Sequence, residues 1–156
     1  MGAGKTGLEG FENTQGERSN QENTEEIGTG RFIDNTGEKI SSHELQVANE
    51  LAAQGKTVIR LPRETKIEGV KTPDFKVDGV KTEIKHLENP NTTTGMGRVK
   101  DGFKQNAEKV IVDARGTGLT RQEAQIIIDR ARGTFPNKTL PGVVEVWIDG
   151  EIISYP

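Results

Sequence analysis

The chain contains no cysteine, which excludes a disulfide framework, a thiolate nucleophile and a zinc site built on cysteine. It also lacks any apolar run that approaches the roughly 18–20 residues of a membrane-spanning helix. Its N-terminus has no basic-then-apolar pattern of a signal peptide, so any export would be directed by something outside this chain. Only 31% of the 156 residues are apolar, and we therefore expect one modest domain.

The net charge of −3 is unevenly distributed along the chain. Residues 1–30 hold six glutamates against one lysine and one arginine, a balance of −4, so the remainder carries about +1. This first segment has too few apolar residues to offset its chain entropy, and we interpret it as a flexible acidic leader or linker. Residues 31–156 are then the folded domain. Its near-neutral charge does not itself argue for nucleic-acid binding, although basic side chains can still converge on one cleft.

Apolar periodicity and turn residues predict three helices and about six strands. The helices are expected near 42–54, 98–108 and 121–132, and the strands near 57–61, 75–77, 80–86, 110–114, 143–148 and 151–154. Residues 88–97, rich in Asn, Thr, Gly and Pro, are expected to form a loop. The element order predicts an α/β (α+β) fold with a mixed twisted sheet and helices on at least one face.

The central feature of the sequence is a predicted β-hairpin over Thr72 to Leu87. Apolar residues alternate with polar ones on both arms, and Asp78-Gly79 is typical of a type I′ turn between them. Glu83 and Lys85 are two positions apart on the returning strand, so both side chains should leave the same face. Asp74 lies on the partner arm, which brings two acids and a base together.

This spacing matches the pattern P-D…(D/E)-x-K of Asp74, Glu83 and Lys85. Two carboxylates can hold a divalent cation, usually Mg²⁺, which polarises a scissile phosphate, while the lysine orients or activates water. Glu44, on the apolar side of the first helix, could complete such a site. The same residues also have ordinary interpretations: a surface ion pair for Glu83 and Lys85, a helix cap for Glu44, and a turn for Asp74.

The same strand could also serve a ribonuclease without a metal, because RNA carries its own nucleophile in the 2′-OH. His86 or Glu83 would then exchange the proton, although His86 should face away from Lys85 in a regular strand. The cationic groups expected near the phosphate are Lys85, Arg98 and Lys104. The expected hydrogen-bond donors are Thr92, Thr93, Thr94 and Gln105. His43 is predicted to be exposed and receives no role.

From Glu44 onward, about three-quarters of the chain resembles the C-terminal nuclease domains of bacterial polymorphic toxins, including contact-dependent growth inhibition toxins of the CdiA C-terminal type. The residues that carry the likeness are those of 44–62, T-P-D-F-K-V-D-G at 72–79, T-E-I-K-H-L at 82–87, and the segments 97–113 and 144–153. The likeness depends on the order of these segments more than on one diagnostic motif.

The resemblance implies a small nuclease delivered at the end of a larger secreted or surface protein, active in the target-cell cytoplasm and bound by a cognate immunity protein. It implies either a tRNA-cleaving domain of the barnase/EndoU/colicin/RelE (BECR) type, or a metal-dependent nuclease of the PD-(D/E)XK type. In the first case the cleft residues would be Glu83, Lys85, His86, the threonines 92–94, Arg98 and Gln105.

From the sequence we therefore expect an antibacterial toxin that cleaves RNA, tRNA first, by acid/base transesterification without a cofactor. The alternative is a Mg²⁺-dependent endonuclease that acts on DNA or RNA through Asp74, Glu83, Lys85 and Glu44. A non-catalytic binding domain is the alternative of another class. Loss of cleavage in EDTA separates the first two.

Overall fold

The computed structural model of the protein describes residues 27–63 and 72–156. The strands are β1 (Phe32–Asp34), β2 (Val58–Arg60), β3 (Phe75–Val77), β4 (Val80–His86), β5 (Lys109–Asp113), β6 (Val143–Ile148) and β7 (Glu151–Tyr155). The helices are α1 (Ser42–Ala53), α2 (Thr92–Lys104) and α3 (Arg121–Arg132), with one 3₁₀ turn at Pro136–Lys138. The predicted α/β class, with a mixed sheet and three helices, is confirmed.

The seven strands form one sheet in which the spatial order follows the order in the chain. Strands β2, β3 and β4 are antiparallel neighbours, as are β6 and β7. The pairs β1–β2, β4–β5 and β5–β6 are parallel, and α1, α2 and α3 form their respective connections. A parallel pair needs such a crossover because its strands enter the sheet from the same end.

The sheet is covered on both faces, which gives the domain two apolar cores. Helix α1 packs over one face, where its buried residues Val47 and Leu51 meet Phe75 and Ile111. Helices α2 and α3 pack over the other face, and β5 contributes to both cores because its side chains alternate. Each fully buried Leu, Ile or Phe stabilises the fold by about 1.5–3 kcal/mol. Trp147, 3% exposed, belongs to the α1 core.

The predicted start of the second helix is wrong, and one strand was missed. Helix α2 begins at Thr92 rather than near residue 98, because the side chain of Asn91 caps it by accepting a hydrogen bond from the Thr94 amide at 2.9 Å. The residues expected to form a loop up to Gly97 therefore lie partly in the helix. Strand β1, which makes the sheet seven strands rather than six, was not predicted because it has only three residues and pairs with β2.

The predicted leader 1–30 lies outside the described residues except for its last four, 27–30. Two of these reach the ends of sheet strands: the Gly28 amide donates to Asp78 Oδ1 at 3.0 Å, and the Thr29 amide donates to Thr57 Oγ1 at 3.0 Å. The contacts of the folded domain thus begin before residue 31. No helix within residues 27–63 and 72–156 is both long and apolar enough to cross a membrane.

Candidate active site

The hairpin formed by β3 and β4 has the predicted geometry. Val77 pairs with Val80 across the turn, and both turn residues are left-handed, with φ of 48° at Asp78 and 82° at Gly79. Asp78 tolerates this conformation because its carboxylate accepts from the Thr57 amide at 2.8 Å, which ties the turn to β2. The hairpin is therefore held firmly at its closed end, and its open end carries Asp74.

Asp74, Glu83 and Lys85 come together at the open end of this hairpin, as the spacing predicted. The main-chain amide of Asp74 donates to Glu83 Oε1 at 2.9 Å, and Lys85 Nζ lies 3.3 Å from Glu83 Oε2. Glu83 is only 5% exposed, so both of its oxygens are held in place by neighbours. This is more than a solvated surface pair, because the acid is buried and the lysine partly so.

Glu44 reaches the same place from α1. Ser41 caps this helix by accepting from the Glu44 amide at 3.2 Å, and its hydroxyl donates to Glu44 Oε1 at 3.0 Å. The Glu44 carboxyl group also lies close to the carboxyl group of Asp74. Glu44 therefore has both roles considered from the sequence: it belongs to the cap, and it contacts the acidic cluster.

The electrostatics of the cluster disfavour its full negative charge. Burial raises the pKa of Asp74, the nearby Glu44 raises it further, and Lys85 and Arg63 oppose the rise. Burial and the charge of Asp74 likewise raise the pKa of Glu83, against the Asp74 amide and Lys85. Neighbouring carboxylates that resist losing their protons form a place where positive charge is stabilised. Perturbed acids of this kind are typical of functional sites.

The donor set suits a hard divalent cation. Mg²⁺ prefers oxygen ligands, retains several of its waters and often takes only one or two carboxylates from the protein. Asp74 with Glu83, or Asp74 with Glu44, supplies such a pair. Across the described ranges, no three Asp, Glu, His or Cys side chains converge tightly enough to form an all-protein cage. The residues thus fit a partly hydrated Mg²⁺ and do not form a closed structural metal site.

His86 turns away from Glu83 and Lys85, as expected for the next residue of a strand. Its ring stacks on that of His43 in α1, with ring centroids 3.5 Å apart and planes 17° from parallel. Its main-chain carbonyl accepts from Arg98 Nε at 3.0 Å, which brings the guanidinium of α2 to the end of β4. His43, which received no role from the sequence, therefore lies beside the cluster, directly before Glu44.

Two cavities meet at Glu44. The first, of about 400 Å³, contains Asp74 together with the basic residues Lys39 and Arg63, while its Arg60 is paired with Asp34 at 3.1 Å. The second, of about 340 Å³, has a different set of lining residues: Ser41, His43, Glu44, Ile84, Lys85, His86, Glu88 and Arg98. The acidic cluster is thus flanked on both sides by cationic groups, an arrangement suited to a polyanionic chain passing over it.

The predicted nucleic-acid contacts of α2 are only partly brought to this site. Arg98 lines the second cavity, but Lys104 and Gln105 lie at the opposite end of the helix from Thr92, roughly 18–20 Å away along its axis. Lys104 and Gln105 line neither cavity beside Glu44, and their contact with nucleic acid stays a prediction.

Thr92, Thr93 and Thr94 are in the first turn of α2 rather than in a loop. The Arg130 guanidinium of α3 donates to the hydroxyls of Thr92 and Thr93 at 3.3 and 3.1 Å. These hydroxyls are partners of a neighbouring helix, and they do not line either cavity beside Glu44. The structure therefore does not bring the threonines together with Glu83 and Lys85.

A larger cavity, of about 630 Å³, lies between α1 and the β6–β7 hairpin. Its charged groups are paired with each other: Arg115 binds Glu50 at 2.6 Å and Asp113 at 2.8 Å, and stacks over Trp147. Because these groups neutralise one another, the cavity offers less chemistry than the smaller pair beside Glu44. The sequence did not indicate it, since its residues come from four separate elements.

The model of the contact-dependent growth inhibition CdiA C-terminal domain family matches residues 71–153, just over half of the chain. The chain belongs to this family. It is therefore a toxin domain of contact-dependent growth inhibition, a kind of domain carried within a larger surface protein. The resemblance of its sequence to such domains predicted this assignment.

A solved structure described as a CdiA-CT/CdiI toxin and immunity complex from Burkholderia pseudomallei has a similar fold, with a TM-score of 0.52. The two sequences are 20% identical over 80% of this chain and 97% of that one, so the likeness concerns the fold alone. No curated protein matches this sequence closely enough to be called a relative.

Proposed function

We propose that this CdiA C-terminal domain is a nuclease that hydrolyses phosphodiester bonds with the help of a divalent cation, Mg²⁺ in the first instance. One observation carries the proposal: the Asp74 amide is hydrogen-bonded to Glu83, the Asp74 carboxyl group lies close to Glu44 of α1, and Lys85 forms an ion pair with Glu83. The cationic groups on both sides of the cluster suit nucleic acid as the target of this toxin domain.

Each residue would have a distinct part in this reaction. Asp74 and Glu83 would hold the cation, which when bound supplies a Lewis acid that polarises the phosphate. Lys85 would face the negative charge that develops on the phosphate, and its ion pair with Glu83 keeps it oriented for that task. Glu44, which lies beside Asp74, would accept or return the proton of the attacking water.

For the substrate we propose RNA, with tRNA first. The support is the resemblance of the sequence to toxin nucleases that cleave tRNA. We also propose a cognate immunity protein as partner, because the similar structure is described as a toxin and immunity complex. The site of action would then be the cytoplasm of the target cell, where tRNA is found.

The metal-free ribonuclease remains as a second candidate because His86 lines the same cavity as Lys85 and Arg98. Its weakness is geometric. His86 stacks against α1, whereas Glu83 is bound by the Asp74 amide and by Lys85, so the two groups do not form an acid and base pair across one phosphate.

The deciding experiment incubates the purified chain with total tRNA and with plasmid DNA, each with Mg²⁺ and with EDTA. We expect tRNA to be cut with Mg²⁺ only, and Asp74→Asn to abolish cutting. Asp101→Asn, an exposed acid on α2, is the matched control and should cut normally. Cutting that survives EDTA and Asp74→Asn would transfer the proposal to the metal-free ribonuclease.

A non-catalytic binding domain makes a different prediction. If the domain acts by binding alone, Glu83→Gln and Lys85→Ala should leave growth inhibition intact in cells that lack the immunity protein. We expect both variants to relieve inhibition while they remain folded and soluble.

A further inference from the structure

The stacked pair of His43 and His86 has no part in the cation-assisted reaction, yet it lies in the cavity next to that cluster. One face of the His43 ring is covered by His86, at 3.5 Å between centroids, and the residue is otherwise exposed. His86 is the less exposed member, and its Nδ1 is buried without a hydrogen-bond partner in the described parts of the chain. The His86 ring is therefore a fixed support for the His43 ring.

His43 is also distinctive among the aromatic side chains. Of the Phe, Tyr, Trp and His residues in 27–63 and 72–156, only His43 is exposed, and the others are buried or partly buried. An exposed ring normally moves freely, but this one is held by a parallel neighbour. A ring of this kind presents a flat surface at low cost in side-chain entropy.

Cationic groups lie on the same cavity wall. Lys85 and Arg98 both line it, and Arg98 is fixed through Nε to the His86 carbonyl at 3.0 Å. The terminal nitrogens of Arg98 donate no hydrogen bond to any residue within the described ranges, so they can still face a phosphate. A flat ring next to two cations is the combination that binds a single-stranded nucleotide, with the base on the ring and the phosphate on the cations.

We propose that the His43–His86 stack is a platform for an unpaired base, so that the domain takes its substrate at a single-stranded stretch. Bases within a duplex are stacked on each other and cannot reach the ring. The proposal rests on the proposed function for its choice of ligand class, nucleic acid. His43 is thus a specificity-determining residue, distinct from the cluster of Asp74 and Glu83 that acts on the phosphate.

Binding, rather than cleavage, tests the platform. The probe is a fluorescein-labelled RNA of about 12 nucleotides, single-stranded or annealed to its complement, within the size range of single-strand sites. Its anisotropy is titrated in EDTA with the full chain carrying Asp74→Asn, and a gel confirms that the RNA stays intact. A DNA strand of the same sequence shows whether the 2′-OH contributes.

We expect His43→Ala to weaken binding of the single strand about tenfold and to leave the weaker binding of the duplex unchanged. His43→Phe, which keeps a ring but no ring nitrogen, should bind within about twofold of the parent. Gln46→Ala, an exposed neighbour on α1, is the matched control and should bind like the parent.

Three results would overturn the platform. In the first, His43→Phe binds as weakly as His43→Ala, which would assign the contact to an imidazole nitrogen. In the second, all variants bind the single strand alike. In the third, duplex binding falls in parallel with single-strand binding. If His43→Ala does not fold, His43→Gln takes its place, since it keeps polarity without a ring.

Because the readout is binding, its failure can be told apart from failure of the nuclease proposal. Ring-dependent binding without any cleavage would retain the platform and reject the nuclease. Cleavage together with binding that does not depend on the His43 ring would retain the nuclease and reject the platform.

Discussion

The main-chain amide of Asp74 donates a 2.9 Å hydrogen bond to Glu83 Oε1, so the segment that carries one acid of the cluster also holds the other. Substituting the Asp74 side chain leaves this amide in place. The contribution of the Asp74 carboxyl group to charge can therefore be separated from the positioning of Glu83, which makes Asp74→Asn the most informative single change in the domain.

The first prediction concerns pH. The pKa of Asp74 is raised in the folded state, first by burial and then by Glu44. Between the unfolded and folded pKa values the native state binds more protons, so the free energy of unfolding falls as pH rises through this interval. Asp74→Asn removes this decrease in the free energy of unfolding. We therefore expect the urea midpoint of the variant to exceed that of the parent at pH values above the raised pKa. The difference between the two midpoints should shrink towards about pH 4.

Other acids respond in the opposite sense, which supplies the control for this experiment. The pKa values of Asp34 and Asp78 are lowered by hydrogen bonds from Thr36 and Thr57, so their contribution to stability is lost as pH falls. They are the same in parent and variant, so the difference between the two proteins reports Asp74 together with its effect on the pKa of Glu83. A difference that does not change with pH would contradict the raised pKa.

The second prediction concerns Mg²⁺. An ion that binds only the native state stabilises it by about 2.7 kcal/mol at a concentration 100 times its Kd. Thermal unfolding should therefore shift upward with Mg²⁺ and return with EDTA, and the shift should be absent in Asp74→Asn. It should also grow with pH, because the ion competes with the protons that Asp74 and Glu83 retain. An equal shift in Asp74→Asn and Asp101→Asn would assign the effect to ionic strength instead.

The third prediction concerns Lys85. Removing one preorganised cationic donor from a phosphate site commonly lowers kcat by about 10²–10³. We expect Lys85→Ala to lose this much activity on tRNA and to stop inhibiting growth, whereas Lys138→Ala, an exposed lysine in the 3₁₀ turn, should behave like the parent. Single-turnover cleavage measures the change. A loss confined to KM would show that Lys85 only binds the substrate.

Local signals predicted much of this fold. Capping residues Ser41 and Thr120 begin α1 and α3 where the sequence indicated, and Asp78-Gly79 forms the expected turn. These features depend on neighbours within a few positions, so the sequence carries them directly. The alternation that predicted Glu83 and Lys85 on one side is equally local, and their ion pair confirms it.

Features that depend on distant partners were the ones missed. Three successive threonines favour a loop by composition, so the local cap at Asn91 predicts the helix only together with α3 and β5, which pack against α2 and stabilise helix there. Strand β1 exists through pairing with residues more than twenty positions away. His43 was assigned no role because its environment depends on a contact with His86, the last residue of β4, which is far from it in the sequence. No local pattern carries such information.

The fourth prediction concerns the start of the domain. Thr29 donates its amide to Thr57 Oγ1 at 3.0 Å, and the two hydroxyls lie 2.7 Å apart. Thr57 is 2% exposed, so a chain that begins at residue 31 leaves a buried hydroxyl without these partners. We expect it to be about 1–3 kcal/mol less stable than a chain that begins at residue 27, as measured by urea unfolding. Equal stability would show that the contacts contribute nothing net.

The last prediction uses two glycines of one helix. A Cβ at Gly102 would lie 2.5 Å from Val110 Cγ2, whereas a Cβ at Gly97 would meet nothing within 4 Å. Both residues are helical, so alanine should add about 0.5–1 kcal/mol of helix propensity at either one. At Gly97 this gain stands alone, and we expect a small stabilisation.

At Gly102 the overlap forces α2 away from β5, at a cost of about 1–3 kcal/mol that exceeds the gain in propensity. Urea unfolding of the two variants compares the effects directly, and only Gly102→Ala should lower the midpoint. Since Arg98 lies between the two positions on α2 and is bound to the His86 carbonyl, Gly102→Ala should also weaken the binding of single-stranded RNA. If both variants were stabilised alike, α2 would not pack against Val110 as closely as the structure has it.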